Sequence, residues 1–160
     1  MRVRVAWLGR PSASPYEEQV ETYRKRVTRR WPAEDRPSRP TSGGRSQDPD
    51  RAIRLEAEAL ERQCESGWRL VALDERGRGR DSQDLANWLA GLEDGGTPGV
   101  VFAVGSDLGL DRAFSDRADE RLSLIAMTLP HLLARLVLWE QLFRATQILG
   151  GGAYHRVVIQ

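Results

Sequence analysis

The chain has 160 residues, 40% of them hydrophobic and 29% charged, with a net charge of +1; this is the composition of one soluble globular domain able to bury its own core. A lone cysteine excludes an internal disulfide and fits a reducing cytoplasm, and no apolar run approaches the ~18 residues of a membrane span. The first strand-like stretch, "VRVAWLG", has neither an apolar signal region nor a small-residue cleavage site, so a cytoplasmic protein is expected.

Val3, Val5 and Trp7 alternate along residues 3–8, which is the period of a strand. Ser14 and Pro15 offer an N-cap and a first-turn proline for a helix to about Arg30. Residues 32–49 contain four prolines and two glycines and read as a loop too long to be a passive connection. Asp48 or Asp50 caps the next helix, which holds Cys64 as a small packed residue and stops before Gly67. Trp68 to Leu73 (WRLVAL) reads as a buried strand, followed by the loop "DERGRGR". Ser82 caps a helix to about Glu93, ended by Asp94, Gly95 and Gly96. Gly99 to Val104 (GVVFAV) is a second buried strand leading into the loop "GSDLG". A short helix near 111–119 precedes the strand "LSLIAM" and the turn Thr128-Leu129-Pro130. The last helix runs from about His131 to Leu149, and three glycines terminate it.

Continuous apolar runs separated by helices predict an α/β fold, with a mostly parallel sheet flanked by helices on both faces. The last helix carries Leu132, Leu133, Leu136, Val137, Leu138, Trp139, Leu142, Phe143, Ile148 and Leu149, more than one apolar stripe. Such a helix is either central or faces a second subunit, and a homodimer is the preferred expectation. Basic side chains concentrate between Tyr23 and Arg45, where only Glu34 and Asp35 oppose eight of them. That segment is either a solvated face or a phosphate-contacting surface.

Ligands of open parallel sheets bind beyond the carboxyl ends of the strands, here Leu73-Asp74, Gly105 to Gly109, and Met127 to Pro130. The Gly105–Gly109 loop matches neither a dinucleotide fingerprint nor a P-loop, and a tight turn explains it equally well. No cluster of cysteine and histidine suggests a metal, and none is expected. His131 opens a helix and reads as capping or packing. Tyr154, His155 and Arg156 differ from an ordinary terminus because a buried helix anchors them directly.

The segment "MTLPHLLARLVLWEQLFRATQILGGGAYHR" resembles the C-terminal signature of the RlmH family of SPOUT-class bacterial methyltransferases, and "YRKRV" and "LVALDERG" resemble its first helix and second strand. The resemblance covers essentially the whole chain as one domain, 1–160. It implies a C-terminal trefoil knot, S-adenosylmethionine as methyl donor, and methylation of N3 of a pseudouridine in 23S rRNA of the assembled ribosome. It also implies that Leu73, Gly105, Leu124, Ile125, Ala126, Met127, Thr128 and Leu129 hold the cofactor. Tyr154, His155 and Arg156 would reach the active site of the partner in a homodimer. Departures are Ser106 and Asp107 in the glycine loop, Ala153 where the family has proline, and Phe143 for its helix tyrosine. A side chain at 106 is expected to crowd the cofactor. Two other readings stay open: a ribosome- or RNA-binding protein of the same fold with weakened catalysis, and a nucleotide-binding domain using the same strand ends.

Overall fold

The computed structural model describes residues 1–40 and 48–155. Within them β1 (Arg2–Leu8), β2 (Ala33–Ser38), β3 (Arg69–Gly79), β4 (Gly99–Val104) and β5 (Glu120–Ser123) form one sheet. Its order is β2-β1-β4-β3-β5, and every pairing between these strands is parallel. The helices are α1 (Glu17–Val27), α2 (Pro49–Glu61), α3 (Ser82–Asp94), α4 (Arg112–Arg117) and α5 (His131–Leu149). All six residues of β4 are buried, as a strand must be when helices cover both sides of it. On one face Val3, Val5, Trp7, Phe102 and Val104 pack against side chains of α1, α3 and α5. On the other, Ala6, Leu8, Val101 and Ala103 meet Ala57 and Leu60 of α2 and Phe114 of α4. The expected α/β class and parallel sheet are therefore present.

Several boundaries differ from the sequence reading. Residues 33–38, expected as loop, form the edge strand β2, in register with Val3 to Leu8. Its Pro37 is tolerated because an edge strand need not donate from every residue. α1 begins at Glu17 after a 3-10 turn at Pro11–Ala13, and Ser14 only accepts a bond from the Tyr16 amide. α2 is capped by Asp48, whose side chain accepts from the Arg51 amide. Asp81, not Ser82, caps α3 by accepting from the Asp84 amide at 2.7 Å; the Ser82 hydroxyl instead donates to Gln141. β3 continues through "DERGRG", re-pairing with β5 after an irregularity between Leu73 and Arg78. β5 starts at Glu120 and stops at Ser123, so the segment 124–130 is not strand at all.

One buried ion cluster fixes the start of α5. The Arg135 side chain is fully buried, with both Asp35 oxygens and both Glu17 oxygens within hydrogen-bond distance. Its guanidinium lies 3.8 Å from the Trp7 ring centre. Trp7 and Trp139 each donate an indole N–H to Asp35 at 2.8 Å. Burying a carboxylate is costly unless it is neutralised and hydrogen-bonded, and here every partner is supplied. At the other end of α5 the helix stops as expected. Gly151 takes a φ of +69, a conformation an L side chain rarely adopts, and the Gly152 amide reaches back to the Gln147 carbonyl.

Candidate functional site

Parallel strands release their chains on one edge of the sheet, and at that edge three exits converge. The irregular stretch of β3 past Leu73 and the ends of β4 and β5 enclose a cavity of about 800 Å³, within the size range of small-molecule sites. Its apolar wall includes Leu73, Val104, Leu122 and Leu124. Ile125 and Met127 are respectively 40% and 77% exposed on the last loop. Large apolar side chains left in solvent around a concavity mark a surface meant to be covered.

The loops are held by specific polar links. The Thr128 hydroxyl donates to Glu75 at 2.7 Å, joining the β5 exit to the β3 exit. The Ser123 hydroxyl donates to the Ile125 carbonyl, curling the chain just past β5. Asp74 accepts from the Arg76 guanidinium, the Arg76 amide and the Ser115 hydroxyl. The Arg76 bond above all holds its carboxyl far below the usual carboxylate range. Gly105 admits no side chain, because a Cβ there would lie 2.7 Å from the Gly109 carbonyl oxygen. Asp107 and His131 face each other, Oδ1 to Nδ1, at 2.7 Å, linking the glycine loop to the first residue of α5.

Ser106 has specific polar partners. Its hydroxyl donates to Glu56 of α2 at 2.7 Å and accepts from the Leu108 amide. Glu56 is only 3% exposed, so the serine satisfies a buried carboxylate. Ser106 both lines the cavity and anchors its loop to α2.

Of the cofactor residues named from sequence, Leu73, Gly105, Leu124, Ile125, Met127, Thr128 and Leu129 line the cavity, and Ala126 is not among the lining side chains. Tyr154 and His155 lie elsewhere in the single chain. Tyr154 stacks 4.7 Å from Phe143, lies beneath Arg144 and donates its hydroxyl to Glu140. Burial, with help from neighbouring Tyr23 and Glu140, pushes its phenol up to about 12. These partners sit 9–13 residues beyond His131 on α5, roughly 14–20 Å from the cavity at 1.5 Å per residue. His155 Nδ1 is buried without a hydrogen-bond partner, and Arg156 lies outside the described residues. Glu75 was missed as a site residue, although a strand running into "DER" at its carboxyl end was a usable signal. Chemically, the cavity offers apolar walls for a flat group, and Glu75 and Asp107 for a cationic one. Among the described residues no group of three or more His, Cys, Asp or Glu side chains is placed to hold a metal. No described helix is long and apolar enough to cross a membrane.

The family described as "Predicted SPOUT methyltransferase" matches residues 1–155. The chain is 40% identical over 159 residues to the ribosomal RNA large subunit methyltransferase H of Mesorhizobium japonicum, covering 98% of this chain and 99% of that protein. It is 36% identical over 156 residues to the protein of the same name from Geobacter sp. strain M21, covering 97% and 99%. The counterpart in Dinoroseobacter shibae is 38% identical over 168 residues, covering 98% and 100%.

Proposed function

The chain belongs to the SPOUT methyltransferase family, and from that premise we propose that it methylates N3 of a pseudouridine in the 23S rRNA of the large ribosomal subunit, using S-adenosylmethionine, as a cytoplasmic homodimer. The observation that carries this reading is the cavity at three parallel strand ends, lined by all but one of the residues the resemblance named for the methyl donor. The residues present fit that group. Leu73, Leu124 and Leu129 offer an apolar slot for an adenine, and the acidic Glu75 and Asp107 suit a cationic sulfonium and ammonium. When bound, S-adenosylmethionine supplies an electrophilic methyl carbon. Backbone groups of 124–129, outside any strand ladder, are available to hydrogen-bond the adenine edge. The trefoil knot expected of the family belongs to this proposal.

N3 of a uracil-type ring is weakly acidic and must lose its proton before it attacks. His155 takes that proton, directly or through water, a role worth about 10²–10⁴-fold in rate. Arg156 stabilises the charge developing on the base. Tyr154, its phenol pushed up to about 12, stays protonated at neutral pH and serves to stack on and orient the base. Because the tail's own contacts lie far along α5 from its own cavity, the tail is assigned to the partner's cavity. Leu133 and Val137, half-buried on α5, support a subunit interface along that helix.

The alternative of an RNA-binding protein of the same fold with weakened or lost catalysis rests on the altered glycine loop, Gly105 to Gly109, in which Ser106 bonds to Glu56. The test is methyl transfer from labelled S-adenosylmethionine to purified ribosomes, with the modified nucleoside identified by mass spectrometry. One 3-methylpseudouridine per 23S rRNA is expected. No incorporation, or methylation at another atom, overturns the reading.

A further inference from the structure

We propose that a second concavity, beyond the carboxyl ends of β1 and β2, grips a backbone phosphate of the RNA near the nucleotide being methylated; this rests on the function proposed above and adds a substrate-positioning site to it. The concavity measures about 430 Å³ and is lined by Gly9, Arg10, Pro11, Ser12, Pro37 and Arg39. All strands are parallel, so it opens on the same edge of the sheet as the larger cavity. β1 is the immediate neighbour of β4. At a strand spacing of ~4.8 Å, the two sites lie on the order of 10 Å apart.

The charge of the lining is one-sided. Among the described residues, it holds two guanidinium groups and no carboxylate. Several arginines near these strands are neutralised: Arg2 and Arg36 pair with Glu34, Arg30 with Glu93, and Arg135 with Asp35 and Glu17. The two acidic residues nearest in sequence, Glu34 and Asp35, are thus already committed. Among the described residues, Arg10 and Arg39 have no ion-pair partner, and both are exposed. The walls are stiff, because Pro11 and Pro37 fix their backbone and the Gly9 amide donates to the Ser38 carbonyl at 2.9 Å, tying the two strand exits together. A pair of forked guanidinium groups on a rigid rim matches phosphate oxygens. No aromatic or large aliphatic side chain lines the concavity, so nothing there stacks on a base. The site reads backbone, not sequence, and its work is registration of the substrate.

The test compares the wild-type protein, Arg10→Gln/Arg39→Gln, and the control Arg62→Gln/Arg54→Gln, whose arginines are exposed on and just after α2. Affinity for purified large ribosomal subunits is measured over a series of salt concentrations, alongside methyl transfer and S-adenosylmethionine calorimetry. For the Arg10/Arg39 variant, binding weakens on the order of tenfold and the slope of log K against log salt falls by about one. Its methyl-donor affinity and melting temperature stay at wild-type values. Affinity and slope equal to wild type, or equal losses in the control, overturn the phosphate site. If the wild-type protein binds subunits without methylating them while the Arg10/Arg39 variant loses affinity, the methyl-transfer reading fails and the phosphate site stands.

Discussion

The two histidines of the chain stand at opposite ends of α5, and their surroundings differ. His131 is fixed at the cavity by Asp107, one helical turn from the fully buried Arg135 and its carboxylates. His155 has a buried ring nitrogen with no partner, beside a tyrosine that is 40% exposed. A buried polar atom left unpaired costs about 1–3 kcal/mol. One end of the helix is complete within a single chain; at the other, among the described residues, a ring nitrogen is left without a partner. Rigid placement and chemical availability are thus divided between the ends of one element.

The largest expected effect separates the ends by activity. His155→Ala lowers methyl transfer to ribosomes by about 10²–10⁴-fold while leaving the melting temperature unchanged; a wild-type rate breaks the assignment. The reverse holds at the other end. Arg135→Ala leaves Asp35 and Glu17 without their cation and destabilises the fold by about 3–5 kcal/mol, read from chemical denaturation. A loss under ~1 kcal/mol would show that the α5 start is held by packing alone. Asp107→Ala frees the glycine loop from α5. Since Asp107 is itself 88% exposed, methyl-donor affinity falls only about two- to fivefold by calorimetry. The smallest effect is on acid stability. Asp74 is held far below the usual carboxylate range, chiefly by Arg76, so its contribution is full above the unfolded value near ~3.9 and is lost as pH falls below it. Asp74→Asn makes the decline in stability below about pH 4 shallower, and an unaltered acid profile refutes that role.

What could be read from the sequence was whatever local pattern decides. "GVVFAV" has no plausible state except a strand covered on both faces, and it is one. The glycine run after Leu149 announced a helix end, which Gly151 provides. β2 was illegible because "AEDRPS" has neither alternation nor β-forming side chains. It is a strand because Asp35 meets an arginine 100 residues away and because β1 offers an edge to pair with. The same distance effect hid the site's polar links. Nothing near Ser106 in sequence reveals that Glu56 waits on α2, and nothing near Thr128 reveals Glu75. The strand ends at Leu73, Gly105 and Met127 to Leu129 were legible as a ligand edge, whereas Leu124 and Ile125 were reached only through family resemblance, since apolar side chains after a strand look like more strand. That is why β5 was drawn to residue 127, although it ends at Ser123.

The cluster around Arg135 also bears on how the protein is made. Glu17 and Asp35 precede their arginine by 118 and 100 residues, so a nascent chain carries both acids exposed until nearly all of it has been synthesised. α1 and α3 share the covering of one face of the sheet with α5, which arrives last. Long-range pairing of this kind slows folding and makes it depend on the last segment. A protein assembled in that order gains its full cavity only when the C-terminal helix has also been made, because His131 and Ala134 of α5 complete the lining.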